Sequence, residues 1–375
     1  MANIIDYLAW RGDIGFDETA VCDVDMLIFS RLSYLPMDGI VPADFGACVP
    51  FGDAVKAVLQ KCENGEAEPR MREDSELMKS ITTSARFSSL KACGFVSRLD
   101  SEREMQFAAI TFLLPDGSSV IAFRGTDGTL TGWKEDFNMS FSETIPSQID
   151  AADYFTRLCA ERAGGVRLCG HSKGGNLAVY AASFCDEKIQ DRVICARSFD
   201  GPGFSDSLTE KEGYKRMLPK LKTFMPRSSI IGMMLEHDED FTIVESQNIS
   251  IFQHNIYYWQ LLRGEFMTVP GFTNSIQLVD KTTKLWVSEM SPELREKFIN
   301  GLYDVASASG AKTVRELLSG KNVFALMKAL AKLDPETRGA ITKCVGLLKN
   351  AAKDTLPELA GDIALPQPRT PFGRK

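Results

Sequence analysis

The sequence predicts an α/β fold: a mainly parallel central sheet, with a helical N-terminal segment and a helical C-terminal extension. Three observations point there. Short apolar segments alternate with helical ones between residues 150 and 246. One of them, 166–169, runs into the glycine-flanked turn Gly170-His171-Ser172-Lys173-Gly174, and a run of small residues leaves it. Two β-rich segments upstream, 105–114 and 118–124, are separated by Pro115-Asp116-Gly117. Strands alternating with helices imply parallel pairing with both faces covered. A Pro-Asp-Gly turn between two β-rich runs implies an antiparallel hairpin.

Each element follows from local pattern. Residues 1–90 read as a helical segment. Asp23 caps an apolar stretch through Val24, Leu27, Ile28 and Leu32 at helical spacing, and Pro36 with Asp38-Gly39 stops it. Helices are expected near 53–62 and 74–82, with a charged loop over 63–72 between them. A strand is expected over 95–100, and 125–149 reads as loop-rich. A helix over 150–162 ends at Gly164-Gly165, and strand 166–169 leads into a helix over 174–184. Strands follow at 192–199, 221–226 and 241–246. Helices return from Asn274, with Ser291 as N-cap and Pro292 at the first helical position. The division expected is a helical segment 1–90, a core 91–290, a helical extension 291–360 and a disordered tail 361–375. Three prolines and basic ends mark that tail.

Composition narrows the chemistry. The 375 residues are 44% hydrophobic and 25% charged, as in soluble globular proteins. The net charge of -7 argues against a nucleic-acid partner, because no basic surplus meets the phosphates. No basic-then-apolar leader opens the chain, and no run approaches the ~18 apolar residues of a membrane span. The nine cysteines are scattered in apolar runs with no Cys-x-x-Cys pair, so a reduced, cytoplasmic setting is expected. No phosphate loop, dinucleotide fingerprint or His-Glu-x-x-His helix is present, so no cofactor and no metal are expected.

The turn at 170–174 carries the chemistry. A strand entering Gly-x-Ser-x-Gly and a helix leaving it form the nucleophile elbow of the α/β-hydrolase fold. Ser172 is then the nucleophile, on a bend too tight for neighbouring β-carbons. An acyl-transfer site also needs two N–H donors for the oxyanion. Lys173, next after the serine, supplies one. Thr126, at the end of the strand running into Arg124-Gly125-Thr126, supplies the second, and its hydroxyl is expected to add a third bond. The serine needs a base, and the chain has only three histidines. His171 sits inside the elbow and points away. His237 lies in the acidic run Glu236-His237-Asp238-Glu239-Asp240, which reads as a solvated loop. His254 follows the alternating stretch Ile249-Ser250-Ile251-Phe252-Gln253, where a late strand delivers the base, so it is preferred. It is expected within hydrogen-bond reach of the serine oxygen. Asp200, at the end of strand 192–199, is the preferred acid, with Asp238 as the alternative.

These residues resemble the class 3 (fungal-type) lipases, and more closely a bacterial group of lipase-like α/β-hydrolases of unassigned function. The resemblance rests on Phe123-Arg124-Gly125-Thr126, Trp133-Lys134-Glu135-Asp136-Phe137-Asn138, Gly170-His171-Ser172-Lys173-Gly174-Gly175, Asp200-Gly201-Pro202-Gly203-Phe204 and Gln253-His254-Asn255. It spans about residues 1–290. It implies Ser172 as nucleophile, Thr126 as oxyanion residue and His254 as base. One departure stands out: class 3 lipases place the acid after the strand that here ends near Ser228-Ser229. Either Asp200 substitutes or the triad is incomplete. The activity expected is hydrolysis of a small-molecule or lipid carboxylic ester through an acyl-enzyme. A hydrolase-like binding or regulatory protein with little turnover is the alternative, and amide hydrolysis or acyl transfer a third reading.

Overall fold

The computed structural model describes residues 2–317 and 323–362. Its main sheet has eight strands in sequence order: β1 (Val49–Pro50), β2 (Lys91–Asp100), β3 (Met105–Leu113), β4 (Ser119–Phe123), β5 (Val166–His171), β6 (Val193–Phe199), β7 (Leu221–Pro226) and β8 (Phe241–Val244). Pairings from β1 to β4 are antiparallel, and those from β4 to β8 are parallel. The hairpin at Pro115-Asp116-Gly117 forms as expected, with Leu113 opposite Ser119.

Parallel neighbours in sequence order, joined by right-handed crossovers, put their connecting helices on one face. Helices α1 (Ile4–Arg11), α2 (Asp23–Leu32), α3 (Phe51–Glu63), α4 (Asp74–Thr83) and α5 (Ala85–Ser88) form the N-terminal segment; α6 (Leu130–Asn138), α7 (Pro146–Glu161) and α8 (Lys173–Phe184) follow. Two cores result. On one face, Tyr154, Phe155 and Leu158 of α7 and Leu177, Ala178 and Ala181 of α8 pack on Phe107, Ile121 and Leu168. On the other, Leu27, Ile28 and Phe29 of α2 pack on Phe112, Ala122 and Cys169. The N-terminal segment therefore takes the place of a second layer of crossover helices. Buried ion pairs pin it internally: Arg86 Nη2 to Asp25 at 2.6 Å and Arg31 Nη2 to Asp74 at 2.6 Å.

Four expectations are corrected. Residues 125–149 are not loop-rich throughout, because α6 occupies 130–138, capped by Thr129 Oγ1 accepting from Gly132 N–H at 3.1 Å. Its buried face is polar (Lys134, Glu135, Asn138), so apolar periodicity does not reveal it. Cys22, not Asp23, is the N-cap of α2; Asp25 accepts from the Cys22 N–H at 2.9 Å. The stretch before His254 is a 3-10 turn, Ser250–His254, instead of a strand; Ile249 and Phe252 point outward at 74% and 65% exposure, with no sheet face to cover them. The run at 236–240 is not wholly solvated, because Glu239 is buried against His237.

Helices Asn274–Ser288, Pro292–Ala308, Val314–Leu317, Val323–Lys332 and Pro335–Asp362 complete the chain, and Ser291 caps the second of them through Leu294 N–H. The tail expected beyond 360 lies, from residue 363 on, outside the described residues. Among the described residues no helix is long and apolar enough to cross a membrane.

Candidate active site

β5 delivers Ser172 into the turn, and α8 begins at the next residue. Ser172 has φ 59 and ψ -135, a conformation a side chain adopts only when its surroundings enforce it. The flanking glycines are enforced sterically. A β-carbon on Gly170 would fall 2.0 Å from the Gly174 carbonyl oxygen, and one on Gly174 would fall 2.2 Å from the Phe123 carbonyl oxygen. Ser172 N–H donates to the Phe199 carbonyl at 2.9 Å, tying the elbow to β6. The serine is half-buried, so its oxygen is reachable.

Asp200 stands at the carboxyl end of β6, also at positive φ (54), with its N–H on the Phe224 carbonyl at 2.7 Å. Its carboxylate is buried and doubly engaged. Oδ2 accepts from His254 Nδ1 at 2.6 Å, and Oδ1 accepts from Ser229 Oγ. Ser229 Oγ in turn accepts from Gly232 N–H at 2.8 Å. So the serine after β7 supports a carboxylate presented one strand earlier. The alternative acid, Asp238, is exposed and is not the residue bonded to His254.

A carboxylate can only accept, so His254 carries its proton on Nδ1 and leaves the Nε2 lone pair free. The residue before it fastens the turn: Gln253 Oε1 accepts from Ser228 N–H at 2.9 Å, and its carbonyl accepts from Trp259 Nε1 at 2.8 Å. His171 packs against His254, with ring centroids 4.4 Å apart. Its Nε2 donates to the His254 carbonyl at 2.8 Å, and Tyr34 Oη lies 3.3 Å from its Nδ1. Burial first, and the adjacent His254 second, hold His171 well below the usual histidine pKa, so it stays neutral. Ser172 Oγ and His254 share no hydrogen bond, so the contact expected between the serine oxygen and the imidazole is not made. His237 belongs to a separate buried cluster, with Nδ1 2.8 Å from Glu239, whose carboxylate also takes Tyr214 Oη and Thr223 Oγ1. Despite its burial, those hydrogen bonds hold Glu239 at about 2.

Among the described residues, the backbone N–H groups of Thr126 and Lys173 have no hydrogen-bond partner. Gly125 N–H, just before Thr126, is spent on Tyr34 Oη at 3.1 Å. The Thr126 hydroxyl does not point a third bond at the oxyanion. It donates to Asp136, with oxygens at 2.5 and 2.7 Å. Burial pushes Asp136 up to about 6, against the pull of Lys173 and the Thr126 bond.

Sequence reasoning missed the role of α6 and of Tyr34. Lys173 Nζ is fully buried and bonds Glu135 Oε2 at 2.6 Å and the Gln106 carbonyl at 2.9 Å. Glu135 also accepts from Gln106 N–H and Ser147 N–H, each at 2.9 Å. This seats α6, and with it Asp136, against the elbow. Asn176, one turn into α8, holds the Gly201-Pro202-Gly203 loop through the carbonyls of Pro202 (3.1 Å) and Gly203 (2.9 Å). Among the described residues no group of three or more His, Cys, Asp or Glu side chains is gathered for a metal ion.

A family model described as Mbeg1-like matches residues 81–304. Among solved structures, M37 lipase is 14% identical over 56% of this chain and 68% of its own, with a TM-score of 0.35. A Rhizomucor miehei lipase propeptide complex is 12% identical over 59% of this chain and 67% of its own, with a TM-score of 0.34. No curated protein matches the sequence.

Proposed function

This chain belongs to the Mbeg1-like family, and from that membership and the site geometry we propose that it is a serine hydrolase cleaving carboxylic esters through an acyl-enzyme on Ser172. The observation that carries the reading is the 2.6 Å bond from His254 Nδ1 to the buried Asp200 carboxylate, beside a serine held at φ 59.

The chemistry follows from those positions. His254 Nε2 removes the Ser172 proton as Oγ attacks the ester carbonyl carbon. Asp200 keeps the imidazole in the tautomer that accepts at Nε2 and stabilises the imidazolium that forms. The tetrahedral oxyanion is received by the free N–H groups of Thr126 and Lys173, with the positive end of α8 behind Lys173. Asp136 fixes the Thr126 side chain, so its amide is aimed before substrate arrives. Collapse passes the proton from His254 to the departing alcohol. Water, deprotonated by the same imidazole, then releases the acid. Lys173 takes part through its backbone, while its ammonium is committed to Glu135.

The binding-protein alternative drew on the serines after β7 where an acid is expected. Asp200, with Ser229 donating to it, supports the hydrolase reading over that alternative. Hydrolysis of short-chain 4-nitrophenyl esters tests the reading. Turnover should be lost on the order of 10⁶-fold in Ser172→Ala and comparably in His254→Ala. Equal turnover in the wild type and Ser172→Ala would remove Ser172 from the mechanism.

A further inference from the structure

Among the described residues, the guanidinium groups of Arg70 and Arg124, near the loop that follows β4, form no ion pair with a carboxylate. Arg124 directly precedes Gly125-Thr126, is 9% exposed, and donates from Nη2 to Ser97 Oγ at 2.6 Å, while its Nε is buried with no hydrogen-bond partner. Arg70, from the loop before α4, is exposed and lies over the Tyr34 ring, 5.3 Å from its centroid. Its Nη2 also borders the oxyanion loop, 3.6 Å from where a Gly128 β-carbon would be. The hydroxyl of that same Tyr34 ring meets Gly125 N–H, and a β-carbon on Gly125 would lie 3.0 Å from Ser172 Cβ. Arg70 is thus linked to Ser172 through the Tyr34 ring and Gly125.

The other charges around them are accounted for. Arg31 is neutralised by Asp74. Asp127 faces both arginines and Asp38 faces Arg124, but neither forms an ion pair with them, and Asp127 Oδ1 caps Thr129 N–H at 3.0 Å. A buried donor left unsatisfied is unfavourable and marks a place completed by something else. A pair of guanidiniums is the arrangement that recognises a carboxylate or phosphate.

We propose that Arg70 and Arg124 form an anion subsite beside the oxyanion loop, and that the ester cleaved at Ser172 carries a carboxylate or phosphate that binds there. This rests on the hydrolase reading and adds the substrate class. The anion takes no part in the bond that breaks; it is a binding handle, carried on either the acyl or the alcohol part of the ester.

The test compares matched esters. One pair is 4-nitrophenyl hydrogen glutarate against 4-nitrophenyl valerate, with the charge on the acyl part. The other is 1-butanoylglycerol 3-phosphate against 1-butanoylglycerol, with the charge on the alcohol. The wild type should favour the anionic member of at least one pair at least tenfold in kcat/KM, and the favoured pair identifies the anion. Arg70→Ala should lower that ratio at least tenfold, chiefly through KM, and Arg70→Lys should restore part of it. Lys56→Ala, an exposed charge change far from the site, should leave the ratio within twofold. No preference in either pair, or a ratio unmoved by Arg70→Ala, overturns the subsite while leaving ester hydrolysis intact. If no ester is cleaved and a fluorophosphonate fails to label Ser172, the hydrolase reading falls and the subsite with it.

Discussion

His171 Nε2 donates to the backbone carbonyl of His254 at 2.8 Å, so the histidine next to Ser172 holds the turn that carries His254. Because a carbonyl only accepts, His171 must be protonated at Nε2, and its Nδ1 is free to accept from Tyr34. Tyr34 Oη in turn accepts from Gly125 N–H. One chain of hydrogen bonds thus links the Gly125 loop, a residue of the N-terminal segment, the elbow and the turn that carries His254. The N-terminal segment covers a face of the sheet and, through Tyr34, also ties the Gly125 loop to His171.

Removing the middle of that chain tests it. Tyr34→Phe leaves the Gly125 N–H buried without its acceptor, which should cost about 1–3 kcal/mol in a urea unfolding series. It should also lower kcat more than it raises KM, because the oxyanion loop and base loop lose their common tie.

The neutral state of His171 gives a pH signature. A histidine with a depressed folded-state pKa takes up its proton first in the unfolded chain. Its contribution to stability is therefore complete above about pH 6.5 and falls away below it, with a limiting slope of about 1.4 kcal/mol per pH unit. His171→Asn should flatten the stability profile between pH 6.5 and 5. An unchanged profile would mean that His171 protonates freely in the folded protein.

Asp136 acts with the opposite sign. Its pKa is raised to about 6 from 3.8, so the fold holds the proton that the unfolded chain releases. Stability from this group is present at low pH and is lost as pH rises from about 4 to about 6. Asp136→Asn should gain stability relative to the wild type across that window. It should also lower kcat/KM roughly 10- to 100-fold, since Thr126 loses the carboxylate that orients it.

The buried pair Lys173–Glu135 predicts an asymmetric cycle. Lys173→Met leaves the Glu135 carboxylate buried without its cation and should cost about 3–5 kcal/mol. Lys173→Met combined with Glu135→Gln should recover a large part of that loss, measured as thermal midpoints. Additive losses would mean the two side chains do not act as a unit.

What the sequence made legible depended on how locally each feature is determined. The elbow could be read because Gly170 and Gly174 answer a clash inside one turn. The position of Asp200 could be read because strand ends in a parallel sheet converge on one edge, whereas His254 lies in a 3-10 turn and not at the strand end expected for it. Helix α6 was hidden, since its inward face carries Lys134 and Glu135, and those charges are buried only because Lys173 and Glu104 lie opposite. Tyr34 gave no signal at all: it lies two residues beyond α2, and its contact with Gly125 spans 91 positions of chain. Glu239 misled for a related reason, as an acidic run reads as solvated until the donors of Tyr214 and Thr223 are seen to surround one member.

Intact-mass analysis after treatment with a fluorophosphonate tests the central claim most directly. The account predicts one adduct per chain, mapped to the peptide containing Ser172, absent in Ser172→Ala and formed far more slowly in His254→Ala, with Asp200→Asn slowed about 10⁴-fold. A wild-type chain that takes up no adduct, or takes it up at the same rate when His254 is replaced, would contradict it.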